Sequence, residues 1–230
     1  MGAARSAFHD ECEQLGTVLR TLHRSDLDRP TRCPPWTVAD LLAHVRIGAG
    51  RLADMLTAVV PGPAQVDAAG YFGAAKFVPE VDAARIEYAR SAAHRHHADT
   101  PTDQTAIAVA MAFDRTWRAT LAAVDAHPAD QVVRTRHGDA MTVTDFLRTR
   151  VVEVGVHGLD LAEALDRSPW LTPTAAQVIA DLLTDGQLLP ADLHWDRLTL
   201  IRKATGRSPR TRAEQEALDA ADIRLLAFGS

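Results

Sequence analysis

A run of charged residues set into an apolar helix constrains this chain more than any other feature. From residue 146 to 161 the pattern is helical. At about 3.6 residues per turn, Phe146, Arg150, Glu153, His157 and Asp160 fall on one narrow stripe. Leu147, Val151, Val154 and Leu161 flank that stripe on one side, and Val152, Val156 and Leu159 on the other. A solvated charged stripe lies opposite the apolar face of a helix, not between two halves of it. Burying arginine, glutamate, histidine and aspartate together is costly unless they pair or bind a metal. Glu153 and His157 stand one helical turn apart, so both can reach the same ion. The stripe therefore reads as a site inside a helical core.

The other periodic segments are helical as well. A first helix is expected from about Ala4 to Arg24, with Phe8, Leu15, Val18, Leu19 and Leu22 inward. The proline-rich turn from Arg29 to Pro35 ends it. A second runs from Thr37 to about Val60, with Thr37 as N-cap, Asp40 at N3 and Trp36 placed to staple onto Leu41. A third covers roughly Asp103 to Ala126, with Ile107, Met111, Phe113, Trp117, Leu121 and Val124 as core candidates. The fourth opens at Thr142 with Asp145 at N3, in the manner of the second, and closes near Leu165. A shorter helix from about Val81 to His97 falls in the connection between the second and third, and residues 131–141 suit a small hairpin. In the tail we expect helices at about Thr174 to Leu183 and Ala213 to Leu225, and a short strand from Leu198 to Ile201. The fold class is thus mainly α. It is a four-helix bundle over residues 1–166 with a long crossover between helices 2 and 3, plus a small C-terminal α(+β) extension, 167–230, packed on it.

Composition narrows the function classes. With 47% hydrophobic and 24% charged residues the chain is an ordinary globular protein. A net charge of −5 without a basic patch argues against nucleic acid as a partner. No apolar run is long enough to span a membrane and no secretory leader is visible, so a cytoplasmic location is expected. Cys12 and Cys33 are too few and too far apart for a Cys-rich zinc site or a CxxC redox pair. The sequence leaves a homodimer open.

Two ligands on one helix leave a catalytic zinc-type site one protein ligand short. His44 lies at the edge of the second helix's apolar arc, with Gly48 one turn on leaving space beside it. A lone histidine there is more often a core residue, and it is convergence with Glu153 and His157 that would make it a ligand. Two imidazoles and a carboxylate with one position open make a Lewis-acid site, not a closed structural one.

The segment from Cys33 through Pro-Pro-Trp36-Thr-Val-Ala-Asp40 to His44 resembles the N-terminal signature of the mycothiol-dependent maleylpyruvate isomerase family, within the DinB-like superfamily. The segment from Arg150 through Glu153 and His157 to Asp160 resembles its second signature. The resemblance covers about residues 5 to 165, and Thr205-Gly206-Arg207 is also similar to family members. It implies a divalent metal, usually Zn2+, held by His44, Glu153 and His157, with mycothiol as the low-molecular-weight thiol cosubstrate. It further implies activation of that thiol toward a small electrophile, by S-transfer or isomerisation. Thiol exchange in secondary-metabolite biosynthesis, and a bundle that binds metal or thiol without turnover, are the alternatives.

Three further residues are candidates. Asp160, three positions from His157, could orient its imidazole or sit exposed at a helix end. Arg150 could hold a substrate carboxylate or pair with Glu153 or Asp160. Arg207 and Arg210 could reach an anionic ligand, Arg207 being the candidate on the cofactor, or could be surface arginines. Other constellations read as structural. His94, His96 and His97 suit a solvated helix end, and His194 with Asp192 and Asp196 suits turn chemistry. Cys33, followed by two prolines, suits packing rather than nucleophilic attack. Phe113 and Trp117 suit the core.

Overall fold

The computed structural model describes residues 1–58, 60–72, 86–93 and 105–226. The N-terminal part comprises α1 (Gly2–Leu19), α2 (Arg24–Leu27), α3 (Val38–Met55), α4 (Ala68–Tyr71), α5 (86–93) and α6 (Thr105–Asp125). A hairpin of β1 (Val132–Arg134) and β2 (Ala140–Thr142) leads into α7 (Val143–Ala164). The tail consists of α8 (Pro173–Thr184), a 3₁₀ turn (Ala191–Leu193), α9 (Arg197–Ala204) and α10 (Arg212–Ala220). No helix among the described residues is long and apolar enough to cross a membrane.

The four long helices close a ring in the order α1–α6–α3–α7. In an up-down bundle consecutive helices are neighbours. Here α1 and α3 lie across from each other, as do α6 and α7. The antiparallel hairpin, in which Val133 pairs Met141, carries the chain across the second diagonal. As a result α3 and α7, far apart in sequence, pack face to face.

Local chemistry explains where α3 and α7 begin. Thr37 Oγ1 accepts from the Asp40 backbone while Asp40 Oδ2 accepts from the Thr37 backbone at 2.9 Å, a closed capping box. Thr142 caps α7 through Asp145 N at 3.0 Å. The first helix ends earlier than its periodicity suggests. Arg20 is its C-cap, and the chain restarts at α2, where Asp26 Oδ2 accepts from the His23 backbone.

Two expectations need correction. Residues 198–201 are helical, inside α9, and not a strand. Asp196 Oδ1 accepts from Thr199 N at 2.7 Å and starts a helix that the alternating Leu-Thr-Leu-Ile pattern conceals. Ile107 and Met111 are exposed, at 61% and 55%. The inward stripe of α6 is instead Ala106, Ala110, Phe113, Trp117, Leu121 and Val124, so alanines take two of the buried positions. The ends of the helix expected at 81–97 lie outside the described residues.

The main core joins α1, α3, α6 and α7 to the tail through Ala175, Ile179, Leu183 and Ile201. Leu193, Leu218 and Ile223 form a small second cluster under α10.

Candidate metal centre

The charged stripe of α7 faces inward. Phe146, Arg150 and Asp160 are buried, and Glu153 and His157 are largely so, toward α3. α3 presents His44 to them. His44 Nε2 lies 2.5 Å from Glu153 Oε1, and His157 Nε2 lies 3.9 Å from the same oxygen. One ligand atom from each of the three residues falls within 4.8 Å of the other two. Ligands of one tetrahedral ion with bonds near 2 Å stand roughly 3.3 Å apart. The donor set, two imidazoles and a carboxylate, therefore fits a divalent cation in both chemistry and spacing. Trp36 packs against the His44 ring at 4.6 Å between centroids and 33°, which fixes its orientation.

The electrostatics suit ligation. Burial alone pushes the Glu153 carboxyl up, but facing His44, and then Arg150 and His157, hold it well below the usual carboxylate range. Arg150 approaches Glu153 Oε2 at 3.8 Å and does not reach Asp160; of its two expected structural partners it finds Glu153. Gly48 leaves room for this arrangement. A Cβ there would stand 3.1 Å from Glu153 Cγ and 3.3 Å from Arg150 Nη1.

Asp160 lies at the other end of the stripe and is fully buried. Its Oδ2 is 2.9 Å from His157 Nδ1. Burial pushes Asp160 up, yet hydrogen bonds from His157 and Arg207 bring it down to about 2, so it is ionised and can only accept. The Nδ1 hydrogen therefore points at Asp160, which leaves the Nε2 lone pair for the cluster.

Arg207 follows α9 and is not a surface arginine. Its Nε and Nη2 donate to both oxygens of Asp160, at 2.8 and 2.5 Å. Arg32 straps the same loop to the bundle by donating to the Gly206 and Arg207 carbonyls and to Glu163. The sequence leaves Arg207 open between a ligand contact and the surface, and in the structure its partner is the Asp160 carboxylate. The signal that would have found its carboxylate partner was a conformational one, a turn at Gly206 with φ of +70° that aims the next residue back at α7.

Cys33, His157 and Asp160 also bring ligand atoms within 4.8 Å of one another. Asp160 is already committed to Arg207 and His157. Burial, and then the charge of Asp160, pushes the Cys33 thiol up to about 12. Such a thiol stays protonated at neutral pH, which makes it a poor ligand and a poor nucleophile.

Beside the cluster is a cleft lined by His44, Gly48, Arg51, Tyr71, Phe72, Arg136, Arg150 and Glu153. Neither Arg51 nor Arg136 was a sequence-level candidate. Arg51 reads as an exposed helix residue and Arg136 as a hairpin tip. Of the competing constellations, His94, His96 and His97 lie outside the described residues. Asp196 serves as the cap of α9, and His194 adopts a left-handed turn with φ of +49°. Phe113 and Trp117 are buried in the core.

Comparison with known proteins agrees with the fold. A family model described as the mycothiol maleylpyruvate isomerase N-terminal domain matches residues 8–162. A crystal structure of a mycothiol-dependent maleylpyruvate isomerase superposes with a TM-score of 0.53 at 15% identity, covering 79% of this chain and 68% of the other. A histidine-to-alanine mutant of that isomerase gives 0.52 at 14% identity with the same coverage. No protein of curated function matches the sequence.

Proposed function

The chain belongs to the mycothiol maleylpyruvate isomerase N-terminal domain family, and from that premise we propose that it is a metal-dependent enzyme. It activates mycothiol as a thiolate and directs the sulfur at a small electrophile, by reversible addition that isomerises it or by S-transfer. The observation that carries this reading is the meeting of His44, Glu153 and His157 across the α3–α7 interface. These residues would hold the cation, zinc being one ion that suits an N,N,O donor set. When bound it supplies a Lewis acid that brings a thiol of ordinary pKa near 8.5 into the ionised form at neutral pH.

The chain's own groups do the rest. Glu153, kept ionised, is the anionic ligand. Asp160 holds the tautomer of His157, and Arg207 holds Asp160. Trp36 restrains the His44 ring. Cys33, kept protonated, does not compete with the incoming thiol as a nucleophile. The reacting sulfur comes from the cosubstrate.

The test combines metal analysis with turnover. Purified protein should carry about one divalent ion per chain, and His44→Ala, Glu153→Ala and His157→Ala should each lose it while helix content by circular dichroism stays intact. With metal present, mycothiol should be consumed by, or should catalyse isomerisation of, model Michael acceptors. A wild type without stoichiometric metal sinks the proposal. Metal without any binding or use of mycothiol would make the protein a non-catalytic metal-binding bundle.

A further inference from the structure

We propose that Arg51, Arg136 and Arg150 form an oxyanion-binding subsite beside the metal centre, and that the electrophile carries a carboxylate or phosphate ester held there. The electrophile itself rests on the function proposed above; the anion subsite does not.

Three elements deliver the three guanidiniums to one cleft: α3 brings Arg51, the hairpin tip Arg136, and α7 Arg150. Against them, among the described residues, the cleft holds one carboxylate, Glu153, which already faces His44, His157 and Arg150. Among the described residues no carboxylate lies within ion-pairing distance of Arg51 or Arg136. Arg136 spends its Nε on His137 Nε2 at 3.1 Å, and the His137 ring packs on Tyr71, which fixes the hairpin tip at the cleft. Arg150 is anchored too. Its Nε donates to Thr149 Oγ1 and its Nη1 to the Gly48 carbonyl, and the guanidinium lies over the Phe146 ring at 4.8 Å. These contacts hold the fork in place and leave Nη2 for a ligand.

Like charges that outnumber their counter-charge repel one another, and a half-buried guanidinium gains little from water. Burial, followed by Arg136 and Arg150, lowers the pKa of Arg51 from its ordinary value, which reports the same crowding. An oxyanion relieves it. Planar guanidiniums suit carboxylate and phosphate oxygens through paired hydrogen bonds. Once Glu153 serves a metal, the three cations are unbalanced and the preference for an anion grows.

The test is isothermal titration calorimetry on the full chain at fixed ionic strength, with succinate in one arm and inorganic phosphate in the other. Saturable binding is expected in at least one arm, and the arm that binds identifies the oxyanion. Arg51→Met and Arg136→Met should each weaken it about tenfold or more, the scale of a lost charge-assisted hydrogen bond. Arg136 is exposed on a turn, so its variant folds and keeps the test decisive if Arg51→Met does not. A second readout compares N-ethylmaleimide with an N-carboxyalkyl maleimide, which share a reacting carbon and differ in a carboxylate. Wild type should prefer the charged one, and both variants should lose about tenfold of that preference. Absence of binding in both arms, or variants that bind like wild type, overturns the subsite. Anion binding without metal or thiol turnover would leave the subsite standing and remove the enzyme reading. Turnover with no preference for the charged maleimide would do the reverse.

Discussion

The two sides of the His44–Glu153–His157 cluster are built differently. On the tail side every charge has a partner. Asp160 accepts from His157 and from both arms of Arg207, and Arg32 ties the Arg207 loop to α7 through Glu163. On the cleft side Arg51, Arg136 and Arg150 face one acid among the described residues, Glu153. A buried charge network closes on itself when its task is to hold a geometry. One left short of counter-charge is suited to receive a ligand that supplies it. In the proposed enzyme the tail side positions the site, and the cleft side is where it meets substrate.

Breaking the closed side should have the largest effect. Asp160→Ala frees the His157 ring and strands the largely buried Arg207, so stability should fall by about 3–5 kcal/mol, the cost of orphaning a buried ion-pair partner. Arg207→Met keeps the carboxylate and removes its clamp. Metal affinity should drop roughly 10–100-fold, the scale for lost outer-shell support, when measured by competition with a chelating dye. If Arg207→Met binds metal like wild type, the tail does not position the centre.

Next in size is a control for what burial does without cations. Glu11 sits behind α7, fully buried, with Oε2 accepting from Thr172 N and Oγ1 and with Oε1 unpartnered. Burial pushes it up to about 7, and the Thr172 hydrogen bonds only partly oppose this. Glu153, also largely enclosed, goes the other way because three positively chargeable groups face it. A carboxyl raised in the folded state binds protons there that the unfolded chain has released. Its contribution to stability is therefore complete below the unfolded value near 4.3 and is lost as pH climbs to about 7. Glu11→Gln keeps the acceptor for Thr172 and cannot ionise. By urea unfolding it should match wild type near pH 4 and exceed it by about 3 kcal/mol at pH 8. A parallel pH dependence in both proteins would show that Glu11 titrates normally.

Much of this architecture is legible in the sequence because it is local. Caps are read from Thr37 with Asp40 and Thr142 with Asp145, and the inward stripe from the 3–4 spacing of Phe146 to Asp160. What escapes is non-local or conformational. Arg207 meets Asp160 only because α8 and α9 fold the tail back against α7. Arg51 lies on the flank of α3 and reads as solvated until the hairpin and α4 close over it. Ile107 and Met111 mislead because hydropathy ranks bulk above alanine, whereas two of the buried positions of α6 are Ala106 and Ala110. Residues 198–201 mislead because one cap, Asp196, outweighs a β-like alternation.

The smallest effects come from two glycines that separate packing from chemistry. Gly155 lies on the face of α7 turned to the tail, where a Cβ would stand 2.8 Å from Ile179 Cδ1 and 2.9 Å from Leu171 Cδ1. Gly155→Ala should therefore overpack and cost about 1–3 kcal/mol in chemical denaturation, with metal affinity little changed. Gly48 lies on the cleft side, and the atoms its Cβ would crowd belong to Glu153 and Arg150, side chains that can yield by a few tenths of an ångström. In mid-helix, alanine for glycine favours the folded state by up to about 1 kcal/mol, which offsets that crowding. Gly48→Ala should leave the unfolding midpoint within the range of surface substitutions while pushing Glu153 off its position and weakening metal and succinate binding together. Unchanged binding of both would mean that the space beside Glu153 is not what sets the site, and that the two sides of the cluster differ less than their charges suggest.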